Sequence, residues 1–377
     1  MSRAAISCCL ARPRLAQRKP NLLVEAQYVV DLAFATLCSV DCLRVSLTDR
    51  CNLRCLYCMP PKSNGRKGDV GDNDSAPAEK QEAPPADSSF QTVLRFEEIA
   101  AIVRFLRERY GLRTVRLTGG EPLVRRGIVE LTRMLAGQGL ADLAMTTNGQ
   151  VLSDYARPLR EAGLRRVNIS LDTLDRGRFS RLTRGGRLER TLAGIDAARA
   201  AGFRSIKINT VVLRGENDRE VCDLVRFAMA RGLEIRFLEL MAIGVAAARY
   251  DSWFVSSREV LERLACEFRV AAAVEGESPE RVATFRAEGA AGRSTRVGFI
   301  SPMSRPFCAG CRRLRLTADG QLRGCLMQGS GPELAAALRR AGGPDYAALE
   351  RMIARALRAK PARRELSSPY LMAGIGG

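Results

Sequence analysis

The sequence predicts an α/β fold: an incomplete (β/α)6 TIM-like barrel whose mouth is closed by a C-terminal extension of antiparallel β and helix. Two observations carry that expectation. Between residues 42 and 245, six short apolar, partly β-branched segments alternate with Arg-, Glu-, Ala- and Leu-rich stretches of helical spacing. Such alternation signals a parallel sheet with crossover helices, and functional residues should gather at the C-terminal ends of its strands. Beyond about residue 250 the pattern changes, and 377 residues leave room for an appended unit.

In chain order, residues 1–37 read as a basic leader outside the fold, because Arg3, Arg12, Arg14, Arg18 and Lys19 all precede the first acid, Glu25. The leader weakly resembles an organellar transit peptide, and a disordered basic tail explains it equally simply. The expected strands are Leu43–Leu47, Thr114–Thr118, Asp142–Thr146, Val167–Leu171, Ser205–Leu213 and Glu234–Leu240, with helices such as Phe96–Tyr110 and Leu188–Ala201 between them. Together with the residues that lead into them, these define a unit over 38–250. Within it, residues 61–90 are rich in Pro, Gly, Ser and charge, and too poor in apolar groups to offset their ordering entropy. They are expected to form a solvated, disordered insertion without chemistry. The last unit, 251–377, starts with an antiparallel ribbon, continues through a cysteine-bearing segment and a helical stretch at 333–359, and ends in Gly376 and Gly377.

Composition narrows the chemistry. The chain has no His, which excludes His-based catalysis, His-ligated haem and any zinc site that needs imidazole. It contains no run of about 18 uncharged apolar residues, so no membrane span is expected. The formal charge is +19, and only six of the 60 basic residues are Lys. That balance suits an anionic substrate, although coding bias or solubility would also produce it. Twelve cysteines are present, and six fall into two tight groups. In a chain too long to need disulfide staples, such grouping points to metal ligation in a reducing compartment.

The first group, "TDRCNLRCLYCMP", spaces Cys51, Cys55 and Cys58 as C-x3-C-x2-C directly after a strand. Three thiolates on one loop suit a cubane iron–sulfur cluster with an open iron; zinc, which normally takes four ligands, and incidental thiols are the alternatives. The segment "RLTGGEP", Arg116–Pro122, follows the next strand. Its glycines permit close backbone approach, and Glu121 can accept from an ammonium, although a tight strand-to-helix turn would also explain the pair. The third group spaces Cys308, Cys311 and Cys325 as C-x2-C-x13-C, again three rather than four. A zinc ribbon would need a fourth ligand, and Cys266 is distant. Strand alternation puts Arg313 and Arg315 on one side, beside these cysteines; arginine is the residue of choice for bidentate phosphate or purine contacts.

These segments resemble the radical S-adenosylmethionine superfamily and, within it, the GTP 3′,8-cyclase family of molybdenum-cofactor biosynthesis. The carrying motifs are "LRVSLTDRCNLRCLYCMP", "VRLTGGEPLVR", "MTTNG", "LRRVNISLDTLD", "KINTVVLRGEND", "RFLELM", "FCAGCRRLRLTADGQLRGCL" and the terminal "IGG", in order from Leu43 to the last residue. The resemblance implies two [4Fe–4S] clusters, one on Cys51, Cys55 and Cys58 that chelates S-adenosylmethionine, and one on Cys308, Cys311 and Cys325 that orients the purine. It implies S-adenosylmethionine contacts at Tyr57, Gly120, Ser170 and Met241. GTP contacts are implied at Arg44, Arg116, Thr146, Lys207, Arg313 and Arg315, with Arg236 a further phosphate candidate. Gly376 and Gly377 would reach into the site.

The reaction implied is that of a lyase. Reductive cleavage of S-adenosylmethionine gives a 5′-deoxyadenosyl radical, which takes hydrogen from the ribose 3′ carbon. The carbon radical then closes onto guanine carbon 8 and gives (8S)-3′,8-cyclo-7,8-dihydroguanosine 5′-triphosphate, the first step toward molybdopterin. Implied partners are an electron donor of flavodoxin or ferredoxin type, a downstream cyclic pyranopterin monophosphate synthase and a second copy in a homodimer. No nucleic acid or membrane is expected as a partner. The compartment would be cytoplasm in a bacterium or mitochondrial matrix in a eukaryote. A peptide- or RNA-modifying radical enzyme and a zinc module on RNA are the rival classes. Two departures stand out: the additional Cys38 and Cys42, and the absence of a Pro after Met241.

Overall fold

A computed structural model describes residues 39–61, 93–272, 283–288, 293–306, 308, 311–361 and 367–368. The expected leader, all but the first residue of the 61–90 insertion, Cys38 and the Gly376–Gly377 tail lie outside the described residues.

Six parallel strands form the scaffold: β1 (Cys42–Ser46), β2 (Thr114–Thr118), β3 (Asp142–Thr147), β4 (Arg166–Ser170), β5 (Ser205–Val212) and β6 (Glu234–Glu239). Each pairs in parallel with the next. Helices α1 (Phe96–Tyr110), α2 (Ile128–Ala136), α3 (Leu152–Glu161), α4 (Arg176–Thr183), α5 (Leu188–Ala200) and α6 (Val221–Arg231) make the crossovers. Their ends follow local chemistry. Helix α1 opens with the Glu98 carboxylate accepting from the Arg95 N–H at 2.7 Å and stops at Gly111, whose φ of 68° an L side chain resists.

The six strands make an open, partial barrel, because β1 and β6 do not pair. After β6 come a short β7 (Ala242–Ile243), α7 (Tyr250–Trp253) and α8 (Ser257–Ala265). The C-terminal half then extends both edges of the same sheet. Strands β8 (Arg269–Ala272), β9 (Ala283–Glu288) and β10 (Ser294–Ile300) form the expected antiparallel ribbon, and β10 lies parallel to β6. The chain then crosses to the other edge, where β11 (Arg313–Leu316) runs parallel to β1 and β12 (Leu322–Arg323) closes a hairpin. Among the described residues one eleven-stranded sheet results. A single core joins Leu43, Ile102, Ile208 and Phe237 of the barrel to Val297, Leu314 and Ile353 of the extension.

The helical stretch expected at 333–359 is two helices, α9 (Ala335–Leu338) and α10 (Tyr346–Arg358). Gly342, Gly343 at φ 95° and Pro344 interrupt it, and Asp345 restarts it by accepting from the Ala348 N–H at 2.8 Å. The last described element, β13 (Ser367–Ser368), pairs with β7. No helix among the described residues is long and apolar enough to cross a membrane.

Candidate active site

Alternation along the strands sorts side chains between two surroundings. Leu43, Val45, Val115, Leu117, Ile208 and Phe237 are at most 1% exposed and pack in the hydrophobic core. The intervening positions face the barrel interior and are largely polar. Arg44, Arg116, Thr146, Ser170, Asn209, Arg236, Arg313 and Arg315 line a cavity of about 620 Å³. Both cysteine groups open onto that same cavity, as do Tyr57, Gly120 and Met241.

Lys207 is the one expected site residue within the described region that does not line it. Its ammonium lies 2.8 Å from Glu234, which also accepts from Arg236 Nε at 2.9 Å. Burial lowers the Lys207 ammonium to about 8, and Arg236 adds to that against the pull of Glu234. Nearby, Arg166 Nε donates to both carboxylate oxygens of Asp142, at 3.0 and 2.9 Å. The interior is therefore charge-paired at this level.

The cavity wall is different. In the β11–β1–β2 register Arg315 pairs with Arg44, and Arg44 with Arg116. Adjacent strands sit about 4.8 Å apart, so three guanidinium stems start side by side. Burial, then Arg313, lowers Arg44 to about 10; burial, then Arg44, lowers Arg116 to about 9. Arg315 is lowered well below its ordinary value too, by burial and then by Arg44 and Arg313. Arg44 Nε is buried with no hydrogen-bond partner. A row of like charges in a cavity is what a polyanion would neutralise.

The first cysteine loop follows β1. Leu56 N–H to Leu182 O (2.9 Å) and Arg54 N–H to Thr183 O (3.1 Å) tie it to the end of α4, and Cys58 N–H closes a turn on Cys55 O at 2.9 Å. Leu53 N–H approaches the Cys51 sulfur at 3.4 Å, and Asn148 Nδ2 does so at 3.8 Å. Burial, then Cys51 and Asp172, pushes Cys58 up to about 12, and burial followed by Cys58 raises Cys55 well above an ordinary thiol. Three thiols so placed resist joint ionisation until a cationic group binds them.

Gly119 and Gly120 have a packing reason beyond ligand approach. A Cβ on Gly120 would meet the Arg50 carbonyl oxygen at 2.2 Å, and one on Gly119 the Thr48 carbonyl oxygen at 2.6 Å. The glycines let Gly120 N–H reach Thr48 O at 2.6 Å and Glu121 N–H reach Arg50 O at 2.9 Å, which fixes the chain leading into Cys51. Glu121 is 1% exposed and accepts from Thr147 Oγ1, Leu123 N–H and Asn148 N–H at 2.6, 3.1 and 2.7 Å. Burial still lifts its carboxyl to about 7.

The second group forms on the crossing between the sheet's two edges. Glu239, 3% exposed at the end of β6, accepts from the Met303 and Ser304 N–H groups at 3.0 and 2.9 Å and anchors the start of that crossing. Cys311 N–H turns back on Cys308 O at 3.0 Å, and Cys325 follows β12. Burial pushes Cys311 up, but Lys360 and then Arg313 outweigh it and leave the thiol below its ordinary value. All nine cysteines among the described residues are free. Cys42, one of the two additional thiols, is buried on β1.

No three His, Cys, Asp or Glu side chains among the described residues are grouped to hold a single metal ion. A cubane places each thiolate on a different iron, so two three-cysteine groups on one cavity fit iron–sulfur clusters better than zinc. Sequence reasoning passed over Asp172 and Lys360. Asp172 accepts from Tyr57 OH at 2.6 Å, and its signal was an acid just past a strand end. Lys360 sits past the end of α10, where a cation is ordinary helix chemistry.

Comparison with known proteins agrees with this geometry. The Radical SAM superfamily matches residues 45–228, and Molybdenum Cofactor Synthesis C matches 233–366. The chain is 46% identical over 331 residues to GTP 3′,8-cyclase 1 of Pseudomonas aeruginosa, covering 87% of this chain and 92% of that protein. It is 41% identical over 343 residues to GTP 3′,8-cyclase of Moorella thermoacetica, covering 90% and 98%. Among solved structures, Streptococcus suis SuiB bound to S-adenosylmethionine aligns at a TM-score of 0.52 and 15% identity, over 82% of this chain and 67% of SuiB. That likeness speaks to the fold alone.

Proposed function

The chain belongs to the GTP 3′,8-cyclase family of radical S-adenosylmethionine enzymes, and we propose that the cavity lined by both cysteine groups positions S-adenosylmethionine and GTP between two cysteine-held clusters. Its activity is the conversion of GTP to (8S)-3′,8-cyclo-7,8-dihydroguanosine 5′-triphosphate, the first step of molybdenum-cofactor synthesis. The observation that carries the placement is the convergence of both cysteine groups and the arginine row on about 620 Å³.

Cys51, Cys55 and Cys58 would hold the first [4Fe–4S] cluster, which when bound would supply the electron for cleavage of S-adenosylmethionine, and Cys308, Cys311 and Cys325 would hold the second, at the purine end of the cavity. Tyr57, Gly120, Ser170 and Met241 line the S-adenosylmethionine end. Glu121 stands behind Gly120 and braces the loop. Arg44, Arg116, Arg313 and Arg315 face the triphosphate, with Thr146 and Arg236 beside them. Lys207 acts one step removed, by sharing Glu234 with Arg236 and holding that guanidinium in place. The residues' work is orientation and charge neutralisation, and the cofactor carries the difficult chemistry. Gly376 and Gly377, outside the described residues, would by the family resemblance reach into the site.

We assign residues 38–250 to the barrel unit and 251–377 to the auxiliary-cluster unit. The electron donor is of flavodoxin or ferredoxin type, a downstream cyclic pyranopterin monophosphate synthase receives the product, and the enzyme acts as a homodimer. The reducing conditions both clusters need suit a bacterial cytoplasm, or a mitochondrial matrix in a eukaryote.

The test is anaerobic turnover of reconstituted protein with S-adenosylmethionine, reductant and GTP, alongside Cys308→Ala. Wild type should give 5′-deoxyadenosine and cyclised GTP, and Cys308→Ala should lose the cyclised product. Deoxyadenosine without any GTP turnover by wild type would move the substrate to a peptide or RNA.

A further inference from the structure

Lys360, just past α10, sends its ammonium into the wall of the cavity between the two limbs that carry the second cysteine group. It donates to the carbonyl of Arg313, two residues after Cys311, at 2.6 Å. It donates to the carbonyl of Gly324, one residue before Cys325, at 3.1 Å. Its third contact is the Cys311 sulfur itself, at 3.8 Å. An ammonium has three N–H donors, so these contacts match its capacity. The surroundings are shaped for it: a Cβ on Gly324 would lie 2.6 Å from Lys360 Cγ and 2.6 Å from the Ala356 carbonyl oxygen. Glycine before Cys325 is thus what lets the lysine stem pass.

We propose that Lys360 is a positioning residue for the C-terminal cluster, clamping the Cys311 and Cys325 limbs together and donating a charged N–H to the Cys311 thiolate. Two consequences follow from charge and geometry. A cation against a ligand sulfur favours the more negative, reduced state and so raises the cluster's reduction potential. A clamp across two of three ligands slows loss of iron from a site that has no fourth cysteine. This inference rests on the reading that Cys308, Cys311 and Cys325 hold a cluster.

The experiment isolates that cluster. In the full-length chain with Cys51, Cys55 and Cys58 replaced by Ala, iron and sulfide content and the midpoint potential by spectroscopic titration are measured, with Lys360→Met and Lys360→Arg beside the parent. Lys360→Met should shift the midpoint to more negative potential and lose iron to a chelator about tenfold faster. Lys360→Arg, which keeps the charge and donors, should restore most of both. An unchanged midpoint and unchanged iron loss in Lys360→Met would overturn the proposal. So would a large drop in the melting temperature of the cluster-free Lys360→Met protein that Lys360→Arg does not repair, since that marks general packing. If the parent itself binds no iron, the cluster reading falls before any Lys360 variant is compared.

Discussion

Arg315, Arg44 and Arg116 stand side by side in register on three neighbouring strands. Burial and at least one other arginine disfavour the charged form of each. Arg44→Met keeps the apolar stem and removes one charge. The cluster-free protein should gain about 1 kcal/mol in denaturant titration, while GTP binding to the reconstituted protein weakens at least about tenfold. A variant that lost stability and kept its GTP affinity would show Arg44 to be a structural group. The period-2 placement of Arg313 and Arg315 was legible in the sequence, because Leu314 and Leu316 must enter the core and force the arginines to the other side. Lys207 shows the limit of that logic. It too alternates with core residues, but its neighbour across the sheet is Glu234, and a cross-strand partner is set by register rather than by its own strand.

At the scale of elements, the six strands and the two crossover helices given bounds, Phe96–Tyr110 and Leu188–Ala201, fall within a residue or so of where periodicity puts them. Where periodicity misled, at 333–359, a Gly-Gly-Pro stop outweighed helical spacing. The turn at Gly119–Gly120 is the element on which the first cysteine loop is built. Gly120→Ala would press a methyl to 2.2 Å from a backbone carbonyl that cannot rotate away. Overpacking of this kind costs about 2 kcal/mol, and the displaced loop should assemble iron poorly at Cys51, Cys55 and Cys58 while the second group still loads. Iron stoichiometry per chain and a denaturant melt decide this; full loading at unchanged stability would mean the turn moves freely.

For the whole molecule, the C-terminal half is part of the barrel's own sheet. Strand β10 covers the edge of β6, and β11 covers the edge of β1. A chain stopped after residue 250 would expose both edges and lose the core contributions of Val297, Phe299, Leu314, Leu316, Leu349 and Ile353. Each buried side chain of that size is worth about 2 kcal/mol, and the sum rivals the net stability of a typical domain, about 5–15 kcal/mol. The truncated protein should show no cooperative thermal transition by circular dichroism. A sharp melt near that of the full chain would show that the barrel folds alone.

The sequence by itself determined the parallel α/β scaffold, the two groups of three cysteines and the chemistry those ligand counts allow, because hydrophobic period, glycine turns and ligand spacing are all local properties of the chain. The tertiary structure alone decided that both groups open on one cavity. That follows from where the chain crosses: from the β6 edge to the β1 edge, over the gap that an unclosed barrel leaves. It also decided which cations face the cavity and which are held by a carboxylate, and it put Lys360, Glu239 and Asp172 beside ligands or loops far away in sequence. Such partners are chosen by strand register and by the packing of one half of the chain on the other, and neither is written in any single segment.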